Sequence, residues 1–289
     1  MEDDDFSRKV FCVLGVPVDD ITMAGLVART HQSASDRKPL FISTPNLNYL
    51  MLSQRHPEFR RSLLESDICP PDGIGVLLIC RLLGIPITSR VAGSDLPAAL
   101  RTIPSSAGRS LRLALFGGEP GVGERAQAAI NAGDTKRLEC VAAIDPGAMT
   151  FDRLSDPVIL QQVNNTRADF LLVALGAQKG QAWIMGNKEK LTVPVVSHLG
   201  ATLNFLAGSV KRAPEGIRKL RLEWLWRIKE EPKLAPRYLA DGARLVWMLF
   251  TRVLPLSDCA AAIATWMSAC QRCRRPASVS SPGESPVPW

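Results

Sequence analysis

Leu111-Arg112-Leu113-Ala114-Leu115-Phe116-Gly117-Gly118-Glu119-Pro120-Gly121-Val122-Gly123 is the stretch that decides the fold. An apolar run of strand length empties through glycines into the helical pattern of residues 124–131. That is one half of a βαβ unit. The pattern recurs on both sides. Residues 10–14, 40–43, 140–144, 170–175 and 193–198 read as further strands, β-branched or leucine-rich. Residues 23–33, 47–55, 75–83, 157–164 and 181–186 read as helices between them. The alternation predicts an α/β, Rossmann-like, mostly parallel sheet with helices on both faces. Ligands of such sheets bind beyond the carboxyl ends of the strands, so chemistry is expected in the loops that follow them.

The totals suit a globular chain: 289 residues, 46% hydrophobic and 22% charged. No run of 18 apolar residues predicts a spanning helix. The start, Met1-Glu2-Asp3-Asp4-Asp5, is acidic, unlike a signal peptide, which predicts a cytoplasmic protein. The α/β core is expected over residues 1–208. Residues 209–275 form a basic, tryptophan-containing helical C-terminal appendage, and the Ser/Pro-rich residues 276–289 a disordered tail. Of the net charge of +7, residues 208–275 account for all: 14 Lys/Arg stand against six acids. Such a surface attracts phosphates, whether of nucleotides, nucleic acid or anionic lipid. The seven cysteines are odd in number and most sit in apolar runs, so they read as free thiols in a reducing compartment. Cys270-Gln271-Arg272-Cys273 has no second pair to make a metal site.

Six loops can carry chemistry. Thr44-Pro45-Asn46 follows the second strand, and its polar side chains either cap the next helix or meet a ligand. Asp72-Gly73-Ile74-Gly75 offers a carboxylate that caps a helix or takes a proton from a hydroxyl, with glycines allowing close approach. Arg90-Val91-Ala92-Gly93-Ser94-Asp95 supplies a cap at Asp95 and an ion partner at Arg90. Gly117 and Gly118 suit a phosphate or nucleoside, although the spacing is neither the dinucleotide fingerprint nor a P-loop. Gly176-Ala177-Gln178-Lys179-Gly180-Gln181 and His198-Leu199-Gly200-Ala201-Thr202-Leu203-Asn204 follow strongly apolar strands. The amides of Gln181 and Asn204 suit a uracil or sugar rather than a metal. The three histidines, His31, His56 and His198, form no HExxH, and Gly-x-Ser-x-Gly is absent. No metal and no cofactor is expected.

In this order the loops resemble the WecG/TagA/CpsF family of bacterial glycosyltransferases (glycosyltransferase family 26). The likeness runs from about Phe11 to Tyr238. It rests on Thr44-Pro45-Asn46, Pro71-Asp72-Gly73-Ile74-Gly75, Arg90-Val91-Ala92-Gly93-Ser94-Asp95, Phe116-Gly117-Gly118, Asp145-Pro146-Gly147, Leu175-Gly176-Ala177 and Phe205-Leu206-Ala207-Gly208. It continues through Lys211-Arg212-Ala213-Pro214 and Glu223-Trp224-Leu225-Trp226-Arg227 to Arg237-Tyr238. The resemblance implies inverting transfer of a hexosyl group, of N-acetylmannosamine or glucose type, from a UDP-sugar to a saccharide on undecaprenyl diphosphate. It implies Asp72 as base, with Thr44 and Asn46 placing the sugars. Arg90, Asp95, Gly117, Gly118, Gly176, Lys179, Gln181, Gly200 and Asn204 stand at the implied substrate edge. Arg212, Arg227 and Arg237 of an appendage that closes over the site would hold the diphosphate. The partners so implied are the UDP-sugar donor, the polyprenyl-diphosphate acceptor and an anionic membrane surface at the inner face of the cell membrane. A homo-oligomer is compatible with it, and no nucleic-acid motif is present.

Two departures stand out. The family commonly has Pro-Lys-Gln-Glu where this chain has Gln178-Lys179-Gly180-Gln181, and Phe-Asp where it has Leu203-Asn204. They bear on the donor sugar, and they motivate an alternative: a catalytically impaired sensor that binds a nucleotide sugar.

Overall fold

The computed structural model describes residues 8–87, 89–104, 109–133, 135–147, 149–214, 216–217 and 223–255. The acidic start, residues 256–275 of the basic segment and the Ser/Pro-rich tail lie outside these, as do Cys259, Cys270 and Cys273.

Five parallel strands form the central sheet: β3 (Leu40–Ile42), β4 (Leu111–Gly117), β5 (Leu138–Ile144), β6 (Phe170–Ala174) and β7 (Val195–His198). Their spatial order is β3-β7-β6-β4-β5. The near-continuous apolar runs follow from burial on both faces. Along β4, Leu111, Leu113 and Leu115 face one core while Ala114 and Phe116 face the other. Along β6, Phe170 and Leu172 face the first, Leu171 and Val173 the second.

The first core is closed by α1 (Met23–Asp36), α5 (Leu96–Thr102), α6 (Val122–Asn131) and α10 (Gly200–Leu206). The second is closed by α7 (Phe151–Leu154), α8 (Pro157–Asn165) and α9 (Ala177–Asn187). In it Trp183 is fully buried and stacks on Phe116 with ring centroids 4.5 Å apart.

The first predicted strand sits elsewhere. β1 (Val10–Val13) pairs antiparallel with β2 (Val16–Asp19), apart from the parallel sheet. Leu14 and Gly15 both take positive φ, which is the geometry of a two-residue hairpin turn. The hairpin is bolted to the chain before Asp72: Asp19 N donates to Cys69 O at 2.9 Å, and Asp19 accepts from Cys69 N and from Arg8. It joins a third core with α2 (Leu47–Ser53), α3 (Pro57–Leu64) and α4 (Ile74–Leu82).

The appendage docks on that third core. α11 (Glu223–Glu230) precedes α12 (Ala235–Met248) and a π-helical turn over Leu249–Val253. Met248 and Val253 are buried beside Val76, Ile79 and Cys80 of α4.

At the amino-terminal edge of the sheet, Asp169 is a clamp. Its carboxylate takes both terminal nitrogens of Arg109 at 2.6 and 3.0 Å and the backbone N of Arg112 at 2.9 Å. Arg37 approaches to 3.6 Å. One buried carboxylate thus joins β4, β6 and the turn after α1. Asp169→Ala is expected to lower stability by about 2–4 kcal/mol, because it strands a buried peptide N–H and an arginine. Urea unfolding measures this, and ligand affinity at the opposite sheet edge should hardly change.

Candidate active site

The carboxyl ends of β3, β4, β6 and β7 open into a cavity of about 850 Å³, roofed by α11 and α12. Three loops on its floor are laced together by backbone hydrogen bonds. Ser43 N donates to Ile68 O at 3.0 Å, Asp72 N to Pro45 O at 2.9 Å, and Val91 N to Pro71 O at 2.9 Å. The Thr-Pro-Asn, Asp-Gly and Arg-Val-Ala-Gly segments, distant in sequence, become one surface. Gly93 is required there: a Cβ would lie 2.9 Å from Thr44 Oγ1 and 2.6 Å from Leu199 Cδ2.

Asp72 faces this cavity. Its Oδ2 accepts from Gly93 N at 3.3 Å. Burial, partly offset by the charge of Arg90 and that hydrogen bond, pushes its pKa up to about 7. Glu223 and Asp95 add to the rise. A carboxylate so placed is poised between acid and base at neutral pH. Thr44 and Asn46 also line the cavity. Asn46 caps α2, its Oδ1 accepting from Tyr49 N at 3.1 Å. Capping and lining are therefore compatible at this residue.

Of the other expected residues, Arg90, Gly118, Gly176, Gly200, Asn204, Arg227 and Arg237 line the cavity. Arg227 lies over the Phe205 ring, 5.4 Å from its centroid, and Arg237 over Tyr238 at 5.2 Å. Five do not line it. Gly117 lies beneath, where a Cβ would be 2.8 Å from Ala174 O, so its role is the close approach of β4 to β6. Lys179 points away and donates to Met149 O at 2.9 Å. Gln181 is fully buried, its amide donating to Ser43 Oγ at 2.9 Å and Tyr49 Oη at 3.4 Å. Asp95 and Arg212 bind each other at 2.5 Å, with Ser94 accepting from Arg212 at 3.0 Å. Glu223 completes this group, 3.5 Å from Arg212 and 3.9 Å from Arg90. Arg212 therefore ties the appendage to the core instead of facing the cavity.

Residue-by-residue reading missed Tyr49, which lines the cavity and donates to or accepts from His198 Nδ1 at 2.7 Å. Burial raises the tyrosine pKa and drops that of His198 to about 4, so both are neutral. The His198 ring fills the space above Gly180, where a Cβ would lie 2.2 Å from its Cδ2. That is a physical account of one departure: glycine stands at 180 because histidine stands at 198. The signal in the sequence was the lone histidine at the end of an otherwise apolar strand. Asp241, buried on α12 beside Arg244 at 3.3 Å, is another lining acid, with Glu119 and Glu223, and the sequence did not single it out.

Among the described residues no group of three or more His, Cys, Asp or Glu is placed to hold a metal ion. The cavity's cations are arginines instead, and guanidinium forks match phosphate oxygens.

The comparisons with known proteins agree with this geometry. The profile of the "Glycosyl transferase WecG/TagA/CpsF family" matches residues 11–258. An N-acetylglucosaminyldiphosphoundecaprenol N-acetyl-beta-D-mannosaminyltransferase of Staphylococcus aureus (strain MRSA252) is 26% identical over 217 residues, covering 74% of this chain and 82% of the relative. The proteins of that name from strains NCTC 8325 / PS 47 and COL align with the same identity and coverage. Aligned over most of its length and built around a cavity of the matching loops, this chain belongs to the WecG/TagA/CpsF family of glycosyltransferases and is an enzyme of the transferase class.

Proposed function

We propose that the enzyme is an inverting transferase that moves a hexosyl group from a UDP-sugar to a saccharide on a polyprenyl diphosphate. The observation that carries this reading is Asp72: a half-buried carboxylate on a cavity that Arg227 and Arg237 also line. The Staphylococcus aureus relatives are named for transfer of N-acetylmannosamine to an undecaprenyl-diphosphate-linked N-acetylglucosamine, which supports an acceptor of the same type here.

In this reading Asp72 takes the proton of the acceptor hydroxyl as its oxygen forms the new bond at the anomeric carbon. The bond from that carbon to the UDP oxygen breaks on the opposite face, which inverts the configuration. Arg227 and Arg237 stabilise the charge that develops on the departing diphosphate, in place of a metal. Arg90 keeps Asp72 from rising further and so keeps a fraction ionised at neutral pH. Thr44 and Asn46 place sugar hydroxyls, and Asn204 offers an uncharged amide at the same edge. Arg212, engaged with Asp95, Ser94 and Glu223, holds the roof in register.

The exposed apolar residues of α12, including Val246 at 54% and Trp247 at 71%, accompany the basic residues of the appendage. This is the composition of a surface that rests on anionic lipid, and it supports a peripheral location at the inner membrane face. Among the described residues no helix is long and apolar enough to cross a membrane.

UDP release with a panel of UDP-sugars and a short-chain polyprenyl-diphosphate saccharide tests the reading. Acceptor-dependent release with one donor is expected. Donor binding without release under any acceptor would favour the sensor reading instead.

Asp72→Asn is expected to abolish turnover while leaving UDP affinity nearly intact. Wild-type kcat/KM should rise with pH through about 7 and level off above it, because only the ionised carboxylate accepts the proton. Stability runs the other way: a folded pKa above the unfolded one favours the folded state at low pH and costs stability as pH rises toward 7. Asp72→Asn should therefore melt higher than wild type at pH 8. Arg227→Ala is expected to reduce kcat/KM roughly tenfold or more, since a charge-assisted bond contributes about 1.5–3 kcal/mol. An unchanged rate would remove α11 from the diphosphate site.

A further inference from the structure

α4 begins two residues after Asp72 and carries a single charged side chain, Arg81, in nine positions. One face is core: Val76, Ile79 and Cys80 are fully buried. The other face is also apolar. Ile74, Leu78 and Leu82, spaced four residues apart, are 42%, 40% and 36% exposed. A surface helix ordinarily turns charged groups to water, and a helix apolar all round belongs in a core or against lipid. Protein covers only half of this one.

Two features identify what covers the rest. First, the stripe starts at the cavity rim, since Ile74 lines the cavity. A second apolar row starts at the same rim with Leu239 of α12 and continues through Val246, Trp247 and Phe250, each more than half exposed. α4 packs against the π-helical turn that ends α12. Two apolar tracks thus leave one polar, arginine-bearing mouth. Second, the exposed cations Arg55, Arg81 and Arg252 stand on the turn after α2, on α4 itself and on the π-helical turn. Arg252 reaches across to Gln54 Oε1. An apolar stripe with a cationic rim fits acyl chains beneath anionic headgroups.

We infer that α4, not the appendage alone, is a lipid-contacting element: its Ile74–Leu78–Leu82 stripe seats in an anionic bilayer and brings the Asp72 loop to the membrane surface. The inference rests on the proposed lipid-linked acceptor and deepens it. The core helix that follows the base would meet the leaflet that holds the acceptor, so the saccharide need rise only to the cavity mouth. Leu78 and Leu82 are outside the cavity lining, which separates lipid contact from ligand binding.

The test is co-flotation of the full chain with vesicles of phosphatidylglycerol and phosphatidylcholine, alongside UDP titration and sedimentation of the same preparations. Leu78→Asp and Leu82→Asp are each expected to weaken vesicle partitioning roughly tenfold, since each removes one buried aliphatic side chain and adds a charge. UDP affinity should be unchanged, which also shows that the variants fold. Leu78→Ala should give a smaller loss in the same direction. Vesicle binding equal to wild type in both Asp variants overturns the inference. So does a wild-type oligomer that these variants dissociate with no loss of flotation, which would make the stripe a contact between copies. A wild type that floats through this stripe yet binds neither UDP nor any UDP-sugar upholds the lipid contact and overturns the transferase reading instead.

Discussion

Everything at the catalytic edge depends on a dry polar network under the cavity floor. Ser43 follows β3, Tyr49 lies on α2, Gln181 on α9 and His198 at the end of β7, and all four are buried. Each carries polar atoms that would cost roughly 1–3 kcal/mol if left unpaired. Most of these atoms find partners here: Gln181 to Ser43 at 2.9 Å, Ser43 to Ser66 at 2.8 Å, Tyr49 to His198 at 2.7 Å, while His198 Nε2 has none. The network therefore locks two helices and two strands in one relative position. Thr44 and Asn46 take their places from it, because they lie between Ser43 and Tyr49 in the chain. A neutral histidine suits this role, since an imidazolium so deeply buried would need a carboxylate beside it.

The charges above the floor follow a different rule. Asp72 is raised by burial and held down by Arg90, while Glu223 arrives from the appendage with its carboxylate between Arg90 and Arg212. The position of α11 over the core thus brings in a negative charge that, with Asp95, opposes ionisation of Asp72. Arg227, 3.4 Å from Glu231, and Arg237 arrive with the same segment and line the cavity where the proposed diphosphate would sit. The roof is consequently part of the electrostatics of Asp72, the proposed base, although it contributes no group adjacent to Asp72 in sequence.

The sheet was legible because burial on both faces forces continuous apolar runs, and each of the five parallel strands was read within two residues of an observed end. The hairpin was not, since Gly15-Val16-Pro17 reads as the end of a strand and only the positive φ of Leu14 reveals the reversal. α3, α5, α7 and α10, each of eight residues or fewer, carry too few turns for a period to emerge, whereas the equally short α2 was read after the capping Thr44-Pro45-Asn46 turn. At the site, loops that follow strands placed Thr44, Asn46, Asp72, Gly118, Gly176 and Asn204 at one cavity. Gln181 and Lys179 failed for a geometric reason: successive residues of a helix point in different directions, and both sit on turns of α9 that face away from the opening. Arg212 failed for an energetic one, because Asp95 and Glu223 already neutralise it.

On the proposed reading, the basic appendage and the apolar outer faces of α4 and α12 answer one physical problem. A polyprenyl-linked acceptor cannot leave its bilayer without exposing its hydrocarbon chain, and a half-buried carboxylate cannot keep its raised pKa in bulk water. The two requirements meet only where the cavity mouth is pressed against lipid. There the bilayer would supply a wall, and the exposed Leu78, Leu82, Val246 and Trp247 would become contacts instead of a liability. On this proposal the apolar surface is the counterpart of the site: the desolvation that raises the pKa of Asp72 would be completed by a non-aqueous partner at the rim.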